Sequence, residues 1–274
     1  MTILITGCSS GIGLAACQFL RRRGFTVIAS ARRASDVALL EEQGFPAVLL
    51  DSSDENSVSA GFEQAVGLAG GRIHAVFCNA GEAFPGALED LSRRTMQLQF
   101  ASNFFGTHQL VALAIKHMRD HGATGRIVLN SSVLGFVAMP YRGAYAASKF
   151  AMEALGDTLR LELATTNIRV SLLQPGPILT RFRATSLVNF AREVDQRSSA
   201  HRRNYQALIS RLEKPGAAVR FTLMPQDCMA PLEHALTARR PKARYRVTVL
   251  TKVLAMLKRL LPAQTLDRML QNKI

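Results

Sequence analysis

The chain has 274 residues, 48% hydrophobic and 20% charged, a composition that reads as ordinary globular protein rather than a fibrous or largely disordered chain and leaves enough length for a substantial core. The formal net charge of +14 admits nucleic acid, an anionic membrane surface or a phosphate-rich cofactor as partner. No zinc-finger spacing, RNA-recognition signature or basic arm interleaved with aromatics accompanies the charge, so no nucleic-acid partner is expected.

The elements follow in chain order. "TILIT" (2–6) is an apolar, β-branched first strand, followed by "GIGLAACQFLRRRG" with helical spacing of its apolar residues. "FTVIASA" (25–31) is a second strand and "PAVLLD" (46–51) a third, with a short Leu- and Glu-rich helix between them. "SVSAGFEQAVGLAG" is a helix, and "RIHAVFCNAG" is a strand running into a loop. A long helical stretch runs from about Ser92 to Met118, then "GRIVLNSS" as fifth strand, "AYAASKFAMEALGDTLRLELA" as a long helix and "IRVSLLQPG" as sixth strand. Residues 177–226 break the pattern and are expected to form an irregular, partly helical excursion; a helix (about 227–239), "YRVTVL" as last strand and a basic tail follow. Alternating strand and helix, with strands apolar on both faces, predicts an α/β fold: a doubly wound parallel sheet between two helical layers, as one domain over 1–274.

The first strand runs into "TGCSSGIG" (6–13). Gly7 permits a tight turn, Gly11 lets backbone approach a pyrophosphate, and Gly13 lets the next helix pack close to the sheet. The end of the second strand reads "ASARRAS", with Arg32 and Arg33 and no acid before Asp36. A carboxylate there would serve the ribose hydroxyls of NAD, whereas guanidinium groups suit a 2′-phosphate, to which Ser9 can also donate. The expected cofactor is therefore NADP(H).

Tyr145 and Lys149 stand at i and i+4 and share a helix face. An ammonium beside a phenol favours its phenolate and lets Tyr145 exchange a proton with a carbonyl or alcohol oxygen. A serine at the end of the fifth strand, Ser132 or its neighbour Ser131, can steady the same oxygen. The four cysteines, Cys8, Cys17, Cys78 and Cys228, have neither C-x-x-C spacing nor a histidine at ligand spacing; they read as reduced thiols of a cytoplasmic protein with no metal site. The first strand begins at about Thr2, so no leader is expected, and no apolar run reaches the roughly 18 residues of a spanning helix.

Together these motifs resemble the short-chain dehydrogenase/reductase superfamily over about residues 2–185, with looser similarity beyond. T-G-x-x-x-G-x-G is matched by Thr6 to Gly13, N-A-G by Asn79, Ala80 and Gly81, and the helical Asn by Asn103 in "SNFFG", with Gln97 and Gln99 as rivals nearby. Ser and Tyr-x-x-x-Lys are matched by Ser132, Tyr145 and Lys149, with the 13-residue Ser–Tyr separation favouring Ser132 over Ser131. P-G is matched by Pro175 and Gly176, and the Thr near the nicotinamide amide by Thr180. Cys78 departs from the pattern, since many members carry a second Asn there.

The resemblance implies a Rossmann fold, with catalysis by Asn103, Ser132, Tyr145 and Lys149, and a water held by Asn103 that links Lys149 to solvent. It implies a cofactor site of Gly7, Ser9, Ser10, Gly11, Ile12, Gly13, Arg32, Arg33, Asp51, Ser52, Asn79, Ala80, Gly81, Tyr145, Lys149, Pro175, Gly176, Ile178 and Thr180. Within the superfamily the motifs are most similar to the 17β-hydroxysteroid and retinol dehydrogenase branch and its bacterial NADP-dependent aldehyde reductases. The expected activity is reduction of an apolar aldehyde, ketone, retinoid or steroid-like carbonyl by a homodimer or homotetramer. The alternative is a catalytically silent NADP(H)-binding protein, which would have been free to lose Ser132, Tyr145 or Lys149.

From Arg239 to Ile274 there are ten Lys or Arg residues and one acid, Asp267. In "TKVLAMLKRLL" Val253, Met256, Leu257, Leu260 and Leu261 share a helix face, and Pro262 should end that helix. The helix is short and the superfamily oligomerises, so packing of this face on the protein itself is favoured over contact with an anionic membrane.

Overall fold

The structure, a computed structural model, describes residues 1–271. Its centre is a seven-stranded sheet in the order 3-2-1-4-5-6-7, parallel throughout. The strands are β1 (Thr2–Ile5), β2 (Thr26–Ala31), β3 (Ala47–Leu49), β4 (Ala75–Cys78), β5 (Thr124–Asn130), β6 (Asn167–Gln174) and β7 (Arg244–Arg246). The chain winds outward from β1 through β2 to β3, then returns to β4 on β1's other side. Ile3 pairs with Val27 on one side and Ala75 on the other. That reversal opens a crevice at the carboxyl ends of β1 and β4, where ligands of such sheets bind.

Alternation along each strand feeds two cores. Ile3 and Ile5 face one core, with Cys17, Leu20, Leu232 and Leu236, from α1 (Gly11–Arg22) and α9 (Met229–Thr237). Leu4 faces the other, with Val58, Leu110 and Met152, from α3 (Glu55–Leu68), α5 (Gly106–Asp120) and α6 (Gly143–Glu162). Helix α2 (Ala34–Glu42) links β2 to β3.

Three expectations are changed. The long helix after residue 92 is α4 (Arg93–Phe100) and α5 joined by a π-helical turn, Ala101–Phe105. The turn inserts a residue and redirects Asn103, as such turns do at functional positions. The last strand stops at Arg246: Thr248 caps α10 (Val249–Leu260), its hydroxyl accepting the Thr251 N–H at 3.2 Å, so a capping hydroxyl overrides the β-branched run "VTV". The excursion is more regular than expected. It carries α7 (Phe182–Glu193) and α8 (Arg202–Glu213) and is closed by bridging of Ile178 to Leu223. Pro262 does end α10, and α11 (Ala263–Leu270) follows.

The excursion has its own core. Phe190, Tyr205 and Leu208 pack with Leu91 and Ala144. The Tyr205 hydroxyl accepts the Ala87 N–H at 3.0 Å and donates to Asp90, which also takes the Ser199 hydroxyl at 2.6 Å. Tyr205→Phe removes both of the hydroxyl's bonds from a buried position. It should destabilise by about 1–3 kcal/mol and speed proteolytic cleavage between α7 and α8. A thermal melt and a limited digest check this; an unchanged digest would show that the excursion is held by packing alone.

Candidate active site

The glycine loop folds as it does because side chains do not fit. Gly7 has φ +69°, and a Cβ there would lie 2.9 Å from the Ala80 Cα; a Cβ on Gly13 would lie 2.2 Å from the Gly7 carbonyl oxygen. Gly11, at φ +61°, faces Thr180, whose methyl would be 3.0 Å from a Cβ. Thr180 and the loop are thus brought together although 169 positions separate Gly11 from Thr180. Ser9 is exposed on the loop. Ser10 is the N-cap of α1 but makes no side-chain cap bond, and the helix's first turn, with Ile12 and Gly13, holds no acid. The amides of that turn are open to an anion. Pinched glycines, an uncapped helix start and an acid-free first turn fit a dinucleotide's pyrophosphate.

Thr6, which sequence reading used only as the motif's first letter, ties the crevice together. Its hydroxyl accepts the N–H groups of Asn79 and Ala80, both at 2.9 Å. The Asn79 amide donates to the Thr6 carbonyl at 2.9 Å and to Gly7's at 3.2 Å, and its oxygen accepts from Asn130 at 2.9 Å. Asn130's own carbonyl accepts the Lys149 ammonium at 2.7 Å. A chain of bonds therefore runs from the glycine loop to Lys149. No motif singled out Asn130; its only sequence signal is its place two residues before Ser132.

Ser132, Tyr145 and Lys149 converge. Ser132 caps a short 3-10 turn, its Oγ accepting the Leu134 N–H at 3.1 Å, and it hydrogen-bonds the Tyr145 phenol. Ser131 points elsewhere: its buried hydroxyl lies under Gly135 on the Glu153 side and has no hydrogen-bond partner among the described residues. The Lys149 ammonium is buried 5.6 Å from the centroid of the Tyr145 ring. Burial pushes the Tyr145 phenol up to about 12, with the Ser132 bond pulling the other way. Burial also pushes Lys149 down to about 8, against the charge of Glu153. Cys78 is buried in β4, and burial lifts its thiol to about 12, so it sits beside Lys149 as a neutral, small side chain. Without cofactor, then, Tyr145 is a protonated acid at neutral pH.

Asn103 is buried in the π-helical turn. Its amide donates to the Glu82 carbonyl at 3.0 Å and the Ser148 hydroxyl at 3.1 Å, while its oxygen accepts the Glu82 N–H at 2.9 Å. Gln99, the sequence-level rival, grips the same strand of backbone, donating to the Glu82 carbonyl at 2.8 Å and accepting the Phe84 N–H at 3.0 Å. The Asn103 side chain is thus satisfied by protein groups and clamps the segment after Gly81. Gly81 lies between Asn103 and Lys149, with the Asn103 oxygen 3.1 Å and the Lys149 Nζ 3.7 Å from where its Cβ would be.

The remaining predicted residues stand at the ends of strands or in the loops that follow them. Asp51 spends one carboxylate oxygen on the N–H and hydroxyl of Ser53, at 2.9 and 2.7 Å. The Ser52 backbone presses on Gly106, where a Cβ would lie 1.8 Å from the Ser52 oxygen, which is why the Asn103 motif ends in glycine. The Pro175 carbonyl accepts the Val133 N–H at 2.8 Å, and Gly176 packs on Thr248 and Thr251, which seats α10 against the site. Ile178 packs beneath, against the first core. Arg32 leaves the end of β2 and pairs with Glu82 at 3.2 Å, while Arg33 pairs with Asp36 at 2.9 Å. The first pair has no signature in sequence, because its members are 50 positions apart. Both arginines are exposed, and such pairs contribute only about 0–1 kcal/mol. From the excursion, Phe182 stacks edge-on against Tyr145 at 5.4 Å, with Phe221 and Met224 also exposed.

Residues 1–188 match the sequence profile of the family described as short chain dehydrogenase. The chain is similar to YbbO, an uncharacterised oxidoreductase of Escherichia coli, at 43% identity over 99% of this chain and 94% of that one. It is 30% identical to human retinol dehydrogenase 8 over 94% of this chain and 84% of the relative. Among solved structures, a short-chain dehydrogenase/reductase from Burkholderia phymatum in complex with NAD superposes with a TM-score of 0.79, at 24% identity, over 100% of this chain and 96% of the other.

Proposed function

The chain belongs to the short-chain dehydrogenase/reductase superfamily, and we propose that it reduces the carbonyl of an apolar aldehyde or ketone with NADPH. The observation that carries this reading is the convergence of Ser132, Tyr145 and Lys149 beside the glycine crevice. Bound there, the nicotinamide supplies the hydride. Tyr145, protonated at neutral pH, donates its proton to the carbonyl oxygen as that oxygen gains charge, and the alcohol results. Ser132 orients the oxygen from the other side. Lys149, anchored on the Asn130 carbonyl, would hold the ribose hydroxyls and place a positive charge near the phenol. The amides at the start of α1 would hold the pyrophosphate, and Arg32 and Arg33 the 2′-phosphate. The apolar rim of Phe182, Phe221 and Met224 supports an apolar substrate. A retinoid falls in this class, and the similarity to retinol dehydrogenase 8 supports it.

The test is NADPH consumption against a panel of apolar aldehydes and ketones. Turnover of at least one is expected, and no turnover across the panel would favour the silent, NADP(H)-binding reading. Cofactor choice has its own test. Wild type should prefer NADPH to NADH, and Arg32→Ala should erode the preference by about 1–3 kcal/mol in kcat/KM, the range of a charged hydrogen bond. Equal use of both cofactors by wild type would contradict the assignment of Arg32.

A further inference from the structure

Helix α10 has two apolar sides, and only one is covered. Leu254 is buried against Val133, Leu134, Val137 and Ala146, with Leu250 and Leu257 at the edge of the same cluster, which Tyr145 also joins. The opposite side presents Val249, Val253, Met256 and Leu260, which are 58%, 40%, 56% and 71% exposed. These four stand at i, i+4, i+7 and i+11, a single straight stripe along the helix. The face expected from sequence is thereby split: Leu257 turns inward, while Val253, Met256 and Leu260 remain in solvent.

Cations border the stripe. Lys252 and Arg259 are exposed along its flank, and Arg246 lies at its start. Together with Met256 and Leu260 these residues line one shallow groove. Among the described residues, the only ion pairs made by the chain beyond residue 238 are those of Arg244, with Glu153 and Asp157. Asp267 is the one acid in the whole basic segment.

We propose that this side of α10 docks the protein on an anionic lipid surface, with the four apolar side chains entering the headgroup boundary and Lys252 and Arg259 meeting lipid phosphates. The charge selects this occupant over a second copy of the chain. A symmetric contact through the stripe would set cations against like cations, with Asp267 the one acidic side chain of residues 239–274 to offset them. No helix among the described residues is long and apolar enough to cross a membrane, so the contact lies in the surface plane. The opposite side of the same helix packs beside Tyr145, so docking holds the catalytic crevice close to the surface in which apolar carbonyl compounds dissolve. The docking itself is read by binding alone and stands or falls apart from the proposed reaction.

The experiment is co-sedimentation of the full chain with phosphatidylcholine vesicles and with vesicles containing phosphatidylglycerol, at low and high salt. Wild type should sediment with the anionic vesicles at low salt and stay in solution with the neutral ones. Lys252→Gln with Arg259→Gln should lower the partition coefficient roughly 25-fold, about fivefold per charge. Met256→Ser with Leu260→Ser should lower it by about tenfold or more at unchanged salt. These exposed substitutions should leave the melting temperature unchanged. Wild type remaining in the supernatant with anionic vesicles overturns the proposal. So does a Met256→Ser, Leu260→Ser protein that binds vesicles like wild type but elutes as a smaller oligomer, since the stripe would then be covered by a second copy.

Discussion

Tyr145→Phe should lower kcat for carbonyl reduction by about 10²–10⁴-fold, the contribution of a positioned general acid, and leave NADPH binding nearly unchanged. The phenyl ring retains the edge contact with Phe182 at 5.4 Å and the packing against α10, so the fold should persist. What is lost is the proton. The pH profile gives a second readout. In the cofactor-free protein burial holds the phenol near 12, so the acid form that reduction needs prevails through neutral pH, and the reduction rate should fall only on the alkaline side. Oxidation of the alcohol needs the phenolate and should rise with pH. A Tyr145→Phe protein that kept more than about a tenth of wild-type kcat, a difference of about 1.4 kcal/mol in barrier, would show that another group donates the proton.

Lys149→Met should separate stability from activity. Burial lowers the folded-state value of Lys149 from 10.5 to about 8. Between those values the unfolded chain binds the proton and the folded chain does not, so the destabilisation from burying the charge is full below about 8 and fades as the pH rises towards 10.5. Its size is about 3 kcal/mol. Methionine removes that cost but leaves the Asn130 carbonyl without its 2.7 Å donor, which takes back about 1 kcal/mol. The variant should therefore be more stable than wild type by about 1–2 kcal/mol at neutral pH, with the gain shrinking in alkaline buffer. Its kcat/KM should fall by about 10²-fold or more. Denaturant melts at two pH values check the first claim; a variant less stable than wild type at neutral pH would show that Lys149 is held as a net stabilising ion.

The sheet and the groups proposed to react were readable because each depends on local spacing. Gly7, Gly11 and Gly13 announce a loop that side chains cannot occupy, and the structure gives each one a clash to avoid. Tyr145 and Lys149 share a face by helical period alone. The support beneath them was not readable. Asn130 and Ser148 look ordinary in sequence, and although Thr6 and Gln99 were picked out, the first as a motif letter and the second as a rival to Asn103, the bonds all four make between distant segments were not visible there. The π-helical turn that redirects Asn103 has no residue signature of its own. At the tail, periodicity revealed a wide apolar arc but not which part is covered. That is decided by the cluster around Val133 and Leu134, which takes Leu250, Leu254 and Leu257 and leaves Val253, Met256 and Leu260 outside. "YRVTVL" starts as a strand, with Tyr245 and Arg246 in β7, and leaves it early for a similar reason: Gly176 packs against Thr248 and Thr251, and Thr248 does more as a helix cap than as a strand residue.

The measurement that bears most directly on the proposed reaction follows the hydride itself. NADPH deuterated at the transferable position of the nicotinamide is incubated with the protein and an apolar aldehyde, and the alcohol is examined by mass spectrometry. The account predicts one deuterium on the carbinol carbon of the product, formed by wild type and not detectably by Tyr145→Phe. Tight NADPH binding with no deuterium in any product, or equal labelling by wild type and Tyr145→Phe, would contradict it.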